Sequence, residues 1–383
     1  AGLTQAKGET YRMKTPRIAL VGNAHIDMIY RWRLSETLDR VAPETFRGVL
    51  DVMDEEPGLT YAQSQMPLYE EMERRHPRLF QRIQGAIAEN RWLVVGGKYV
   101  EADAMLPSGE ALIRQFLVGQ HYAREKLGVG TVEVAWVPDC FAGHTHTTPM
   151  IYAGCGIRYY VFNRGCPDDI RAFYWESPDG TRLFSYKIPK HYNLTVDDGL
   201  AELVGEWLDI AEHDEAMVLY GEGDHGGGPR MGDVAAIRAR MARADFPDLG
   251  YDTPQAVLER AERERSSGRP WPVYRGDIGV EPHSGTHRGA YLSQASLKRW
   301  NRRMEHALSV AETAATIGAM CQRKNFYPRH DLQRMWKLLL LHQFHDTLPG
   351  TLIGDAADDV RRDYEALAED VERSTRFGLE VIG

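Results

Sequence analysis

Cysteine is scarce in this sequence, and the cysteines are not spaced as C-x-x-C pairs. The chain of 383 residues has four, at Cys140, Cys155, Cys166 and Cys321. Because so few cysteines cannot form a disulfide framework in a chain of this length, we expect free thiols in a reducing compartment. The sequence therefore predicts a cytoplasmic protein, with a processed secreted form as the open alternative.

Long apolar runs and an excess of positive charge are also missing. No run approaches the roughly 18 residues that a membrane helix needs, and residues 18–21 are the only apolar stretch among the first twenty. We therefore expect neither a membrane span nor a signal peptide. The net charge of −9 disfavours nucleic acid as a partner, because phosphate recognition needs clustered Lys and Arg.

The first two-thirds of the chain alternates short apolar runs with amphipathic stretches. This alternation is typical of an α/β fold, in which helices cover a mostly parallel sheet. Ser108 is the predicted N-cap of a helix in which Leu112, Ile113, Phe116 and Leu117 recur at helical spacing. The predicted strands are residues 17–22, 92–97, 132–137, 157–162 and 217–220.

From about Tyr291 onward, helical periodicity replaces the strand-like runs. We predict helices over residues 293–320 and 331–345 and a last helix carrying an apolar stripe. Such a set is typical of an appended helical bundle. Since the chain exceeds the usual size of one core, we predict two domains, residues 1–285 and residues 286–383. The stripe of the last helix consists of Val360, Tyr364, Leu367 and Val371.

Acidic residues follow three of the predicted strands. Asp27, Asp139 and Asp224 each lie just past an apolar run. Because the carboxyl ends of the strands meet at the active site of an α/β fold, we expect these three side chains to converge. A single such Asp would be ordinary loop polarity.

Two histidines accompany these acids. His25 and Asp27 are two residues apart, so in extended backbone both side chains face the same way and suit one metal ion. A hydrogen-bonded surface pair is the alternative. His345 and Asp346 lie at the end of the predicted helix 331–345, where the pair could equally cap the helix.

Nine sequence blocks lie along the chain. In order, they are VGNAHID, SQMPLYEE, NRWLVVGGKYVEAD, LPSGEALIRQ, WVPDCFAGH, YWESPDGTRL, LYGEGDHGGGP, HRGAYLSQASLKRWNRRMEHAL and QFHDTLPGTLIGDA. Taken together and in this order, the blocks resemble those of glycoside hydrolase family 38, the α-mannosidases, over about residues 17–360. The resemblance implies a deformed α/β barrel followed by a three-helix bundle, and a mannoside or oligosaccharide as substrate.

The resemblance also implies a zinc-dependent retaining hydrolase with a covalent glycosyl-enzyme intermediate. One Zn²⁺ ion would be held by His25, Asp27, Asp139 and His345, with Asp139 also the nucleophile. Asp224 matches the position of the general acid/base, and its neighbours Glu222 and His225 are alternatives for that role.

Further residues are predicted to contact the sugar. The resemblance implies that Asp346 contacts sugar hydroxyls, and aromatic rings suit stacking on a sugar. His144 and His146 form a rival metal pair, although hydrogen bonding within the loop is the preferred interpretation. The remaining predicted substrate contacts are Tyr30, Phe141, Glu101, Asp103 and Tyr291.

The sequence departs from the family in three ways. Tyr30 stands where the family usually has Trp, and the D-x-F-G run becomes DCFAG at residues 139–143. Family members also continue into β-sandwich domains, so we expect either a fragment or a short member completed by an oligomer or partner subunit. Two alternative functions stay open, a carbohydrate-binding protein without turnover and a metal-dependent deacetylase.

Overall fold

The computed structural model describes residues 16–141, 143–166, 169–263, 265–279, 287, 289–322 and 327–380. Its strands are β1 (Arg17–Asn23), β2 (Tyr61–Gln63), β3 (Trp92–Val94), β4 (Val134–Val137), β5 (Tyr159–Phe162), β6 (Ala172–Glu176), β7 (Arg182–Lys187), β8 (Glu215–Tyr220), β9 (Asp248–Tyr251) and β10 (Val273–Arg275).

Helices separate most of these strands. A π-helical turn at Thr37–Val41 joins α1 to α2, and a 3₁₀ turn at Ala290–Leu292 precedes α10. The helices are α1 (Leu34–Glu36), α2 (Ala42–Glu55), α3 (Met66–Arg75), α4 (Pro77–Ala88), α5 (Gly109–Leu127), α6 (Thr148–Gly154), α7 (Leu200–Ala211), α8 (Met231–Met241), α9 (Pro254–Arg263), α10 (Ala295–Gln322), α11 (Arg329–Leu341) and α12 (Gly354–Glu380).

The strands form two mostly parallel sheets. The first has the order β3-β2-β1-β8, with β9 also paired to β1, and all its pairs are parallel. The second has the order β10-β6-β7-β5-β4, in which only the β6–β7 pair is antiparallel. All of β8 and all of β1 beyond Arg17 are buried, as parallel strands covered on both faces should be.

Backbone hydrogen bonds join the two sheets on both sides. Beyond β3, the Gly96 amide donates to the Val134 carbonyl of β4 at 2.8 Å, and after β7 the Leu194 amide donates to the Leu219 carbonyl of β8 at 3.1 Å. The strands therefore close into a distorted α/β barrel, which confirms the predicted fold class. The carboxyl ends of its parallel strands lie at one rim, where functional side chains gather.

The five predicted strands and the Ser108 N-cap are present, the cap accepting from the Ala111 amide at 3.2 Å. The β6–β7 hairpin escaped prediction although its turn, around Gly180 at φ 85°, is carried by a P-D-G sequence typical of turns. The end predicted for one helix was wrong. Helix α11 ends at Leu341 rather than at His345, because the next residues pair with the barrel instead.

The last three helices share a core with the barrel. Leu308 of α10, Leu339 of α11 and Leu367 of α12 belong to one buried cluster with Phe46 of α2 and Trp92 of β3. The predicted stripe of α12 is buried as well. The domain boundary predicted between residues 285 and 286 lies outside the described residues, so the two-domain division stays a prediction.

Helix α5 approaches the chain after β3 very closely. A Cβ added at Gly119 would lie 2.5 Å from the carbonyl carbon of Lys98 and would also overlap the carbonyl oxygen of Gly97. These are backbone atoms, so no side chain can move aside. Only glycine lets α5 pack here, directly behind the rim segment at residues 98–103.

We predict that Gly119→Ala destabilises the protein despite the higher helix propensity of alanine. Overpacking against backbone costs about 1–3 kcal/mol, which exceeds the gain of about 1 kcal/mol from replacing a helical glycine. Urea unfolding of the purified variant measures the difference as a lower transition midpoint.

Gly85→Ala is the matched control for this substitution. Gly85 lies within α4, is exposed, and has no atom within 4 Å of an added Cβ. This variant should gain about 0.5–1 kcal/mol. Equal stability of the two variants would contradict the packing assigned to Gly119.

Candidate metal centre and active site

Three buried ligand groups meet at the rim of the barrel. His25 and Asp27 follow β1, and His345 lies in the turn after α11. His25 Nε2 is 2.9 Å from Asp27 Oδ1, and His345 Nε2 is 3.5 Å from the same oxygen. The two imidazole rings stack with centroids 5.2 Å apart. Among the described residues, these three offer ligand atoms within 4.8 Å of one another, as a metal site requires.

The polar atoms of this cluster lack hydrogen-bond partners. His25 Nδ1 and Nε2, Asp27 Oδ1 and His345 Nε2 are buried and unsatisfied. The atoms lie close together, but not with the angles of hydrogen bonds. Since buried polar groups are normally paired, and imidazole nitrogen and carboxylate oxygen are ligands for divalent transition metals, a metal ion fits this group.

Charge is concentrated at the cluster. Burial lowers the pKa of His25, but the Glu101 and Asp27 carboxylates outweigh it, so the pKa lies well above the usual value. Burial raises the pKa of Asp27, but His25 and His345 lower it to about 2. The two carboxylates therefore favour the protonated form of His25, and a metal ion would compete with that proton.

Asp139 lies outside the three-residue cluster. It follows β4, is buried, and its Oδ1 accepts a hydrogen bond from Nε of Arg164. Burial lowers the pKa of Arg164, but the Asp139 carboxylate raises it above its usual value. The role of Asp139 as a fourth ligand stays a prediction.

Asp224 lies in a tight loop after β8. Two backbone hydrogen bonds between Glu222 and Gly228 close this loop, and the Asp224 carbonyl accepts from the Asp27 amide at 2.9 Å. Asp224 has φ 62°, in the left-handed region. The backbone therefore ties this loop directly to the metal cluster. Glu222, one of the alternatives for the acid/base, is exposed and paired with Arg230.

Two side chains lie between Asp139 and Asp224. Arg164 hydrogen-bonds Asp139 and lies near Tyr192, and the Tyr192 hydroxyl donates to Asp224 Oδ1 at 2.8 Å. Burial, Asp139 and Asp224 all raise the pKa of Tyr192, which keeps this donor protonated. The ring of Tyr192 also lies 4.8 Å from that of His25. The three acids predicted to converge therefore do so.

Arg164 and Tyr192 were missed by the sequence reasoning. Arg164 follows β5, and Tyr192 lies in the segment after β7. The rule that side chains past strand ends meet at one rim applies to them as it does to the acids. Extending that rule to basic and phenolic residues would have found Arg164. For Tyr192, farther from its strand, the sequence carries no comparable signal.

The predicted substrate residues occupy different places. Tyr30 is partly exposed, with its ring edge-on to Trp32 at 5.9 Å. Phe141 is buried and lies edge-on to His345. Asp346 is buried, and its Oδ1 accepts a hydrogen bond from Thr351. Burial, followed by the charge of Asp27, raises the pKa of Asp346 to about 7.

The two remaining acids of this group are buried beside the ligands. Asp103 Oδ2 accepts from the Tyr291 hydroxyl at 2.7 Å, so these two predicted substrate residues contact each other. Burial raises the pKa of Asp103. Glu101 Oε2 lies 3.1 Å from His25 Nδ1. The carboxylate of Glu101 therefore contacts His25 at Nδ1, while Nε2 of the same ring faces Asp27.

The rival pair His144 and His146 has other partners. His144 Nδ1 lies 2.7 Å from the Tyr160 hydroxyl, and its Nε2 lies 3.2 Å from the Arg164 carbonyl. Burial lowers the pKa of His144 to about 4, so the ring is neutral. His146 is partly exposed and pairs with Asp277 at 2.7 Å. Both histidines therefore have hydrogen-bond partners, which lie in other segments of the chain rather than within their own loop.

Comparison with family models decides the classification. Residues 15–277 match the Glycosyl hydrolases family 38 N-terminal domain, and residues 285–382 match the Alpha mannosidase middle domain. The chain belongs to glycoside hydrolase family 38. The resemblance drawn from the sequence blocks is confirmed.

Individual relatives agree with the family. The chain is 31% identical to alpha-mannosidase 2C1 of Homo sapiens over 357 residues, which is 91% of this chain and 33% of that protein. It is 30% identical to alpha-mannosidase G of Dictyostelium discoideum, over 91% of this chain and 32% of that one. The chain thus spans about a third of the length of these relatives.

A solved structure shares the fold. An alpha-mannosidase from Enterococcus faecalis V583 superposes with a TM-score of 0.82 at 20% identity, covering 96% of this chain and 42% of that one. In the described part of this family 38 chain, no helix combines the length and apolarity needed to cross a bilayer.

We predict that a divalent metal ion stabilises the protein through the three-residue cluster. Metal at about 100 times its Kd adds about 2.7 kcal/mol to the free energy of unfolding, because it binds only the folded state. Thermal unfolding with and without added Zn²⁺ measures this as a rise in Tm. The rise should vanish in His25→Ala and in His345→Ala.

His121→Ala is the control, since His121 is exposed on α5. It should keep the full metal-dependent rise. Because His345 joins the turn after α11 to the barrel, chelation should also speed amide exchange in residues 343–345. An unchanged rise in the ligand variants would place the ion elsewhere.

Proposed function

We propose that this chain forms the catalytic part of a zinc-dependent retaining hydrolase of α-mannosides. One observation carries the proposal. Asp139 and Asp224, the two predicted catalytic acids, are held by Arg164 and by Tyr192 respectively, and Tyr192 lies against His25 of the buried His25–Asp27–His345 group. The names of the human and Dictyostelium discoideum relatives, both alpha-mannosidases, support a mannoside as the substrate.

Zinc is the ion that we propose for the cluster. Two imidazoles and a carboxylate are a ligand set typical of catalytic zinc, which leaves positions open for substrate. Asp139 is proposed as the fourth ligand. When bound, the ion supplies Lewis-acid contacts that orient neighbouring hydroxyls of the sugar ring.

The two carboxylates have different tasks in the proposed reaction. Asp139 attacks the anomeric carbon and forms the glycosyl-enzyme ester, while Asp224 protonates the leaving oxygen. Asp224 then takes a proton from the water that cleaves the ester. Arg164 holds the attacking carboxylate in place. Tyr192 donates to Asp224 Oδ1, which leaves the other oxygen free to carry the transferred proton.

Side chains around these acids are proposed to bind the sugar. Asp346, adjacent to the ligand His345, offers a carboxylate to ring hydroxyls. Tyr30 and Phe141 provide apolar surface on two sides, and the Asp103–Tyr291 pair adds polar atoms at the rim. Aromatic and carboxylate groups together suit a sugar ring, which has apolar faces and polar edges.

We predict that Asp139→Ala abolishes hydrolysis of aryl α-mannosides. Loss of a nucleophile costs about 10⁴-fold or more in kcat.

The fall in kcat on loss of the general acid is smaller, about 10²–10⁴-fold, and depends on the leaving group. Asp224→Ala should therefore lose far more activity on methylumbelliferyl mannoside than on dinitrophenyl mannoside, whose leaving group needs no proton.

Glu222→Gln is the matched control, since Glu222 is exposed in the same loop as Asp224. It should keep nearly the activity of the unmodified chain. A loss confined to poor leaving groups in this variant would move the acid role to Glu222. Sugar binding by calorimetry with no hydrolysis by the unmodified chain would favour a carbohydrate-binding protein.

A further inference from the structure

We propose that Glu101 is a positioning residue of the metal centre, which holds both metal-binding histidines by their Nδ1 atoms. This inference rests on the metal site of the proposed function. It differs from the contact with sugar expected for Glu101 from the sequence. It also explains how His345 comes to lie beside His25 and Asp27, which are far from it in the sequence.

The side chain of Glu101 lies behind His25. Its Oε2 is 3.1 Å from His25 Nδ1, an ion-pair distance without the angle of a hydrogen bond, and both side chains are buried. A carboxylate placed at Nδ1 favours the ring orientation in which Nε2 is the ligand atom. That nitrogen is the one that lies 2.9 Å from Asp27 Oδ1.

The backbone of Glu101 holds the second histidine. The carbonyl oxygen of Glu101 accepts from His345 Nδ1 at 2.8 Å and from the His345 amide at 3.3 Å. The Nε2 atom of His345 therefore also turns toward Asp27 Oδ1, at 3.5 Å. One residue thus orients two rings that come from opposite ends of the chain.

Neighbouring side chains fix Glu101 itself. Ser64 Oγ donates to Glu101 Oε1 at 2.5 Å. The Gln65 side chain accepts from the Glu101 amide at 3.3 Å and donates to the Ile26 carbonyl at 2.7 Å. Ile26 lies between His25 and Asp27, so Gln65 connects the ligand segment to the residue that supports it.

Both carboxylate oxygens of Glu101 therefore face protein atoms. The residue is only 2% exposed, less than the proposed nucleophile Asp139 at 8%. Glu101 acts on the reaction through the ligands, by setting their geometry.

Zinc affinity of the full chain tests this inference. Affinity is measured by competition with a chromophoric chelator, and the metal-free Tm is recorded for each variant. Glu101→Ala should weaken zinc binding by about 10- to 100-fold, the usual cost of losing a partner behind a metal ligand. Glu101→Gln keeps an oxygen that can accept from His25 Nδ1, so it should recover much of that loss.

Glu71→Ala is the matched control. Glu71 is a glutamate of similar burial on α3, paired with Arg74 and Arg75 away from the site. It should keep the zinc affinity of the unmodified chain even if its metal-free Tm falls. This separates loss of stability from loss of ligand positioning.

The results distinguish the inference from the proposed function. If the unmodified chain binds zinc and Glu101→Ala binds it equally well, Glu101 does not position the ligands. If the unmodified chain does not bind zinc at the three-residue cluster, the proposed metal site itself is wrong. Should Glu101→Ala fail to fold, Ser64→Ala decides, since it removes the donor to Oε1 and should weaken zinc binding measurably.

Discussion

A short antiparallel contact between two loop segments underlies the whole site. Ala102 pairs with Phe344, the Asp103 amide donates to the Gln343 carbonyl at 2.9 Å, and the His345 amide donates to the Glu101 carbonyl. This contact joins the chain after β3 to the chain after α11. This contact places His345 beside His25 and so completes the buried His25–Asp27–His345 group.

A buried polar network supports this contact. The Gln115 side chain on α5 donates to the Leu340 carbonyl at 2.8 Å and to Gln343 Oε1 at 3.2 Å. Gln343 in turn donates to Asn301 and Glu305 of α10. Because every member has a partner, such a network specifies one arrangement of barrel and helices. The close packing of α5 at Gly119 helps to bring Gln115 within hydrogen-bonding distance of Leu340 and Gln343.

The second constraint is the concentration of buried carboxylates at the rim. Asp27, Glu101, Asp103, Asp139 and Asp346 are all less than a tenth exposed. Burying several like charges is unfavourable unless cations or protons compensate them. Arg164 and the two ligand histidines supply part of that compensation, and the raised pKa of Asp346 reflects the rest. A divalent cation at the rim would also compensate the negative charge of these buried carboxylates.

Features that depend on neighbouring residues could be predicted from the sequence, whereas features that depend on distant residues could not. Strands and helices follow from local apolar periodicity, and a polar residue past a parallel strand is bound to face the rim, so Asp27, Asp139 and Asp224 could be placed. The family motifs added His345. The end of α11 at Leu341 could not be foreseen, because the backbone that leaves the helix gains its partners from residues 101–103, far away in sequence.

The sequence by itself therefore determined the α/β barrel, the helices that follow it, the family, and the candidate ligands and acids. Only the tertiary structure showed that Glu101 contacts two histidines, that Arg164 hydrogen-bonds Asp139 and that Tyr192 hydrogen-bonds Asp224. The physical reason is that periodicity reports which face of an element is buried, whereas hydrogen-bond partners depend on how distant elements pack. Side-chain contacts across the rim exist only once the barrel has closed.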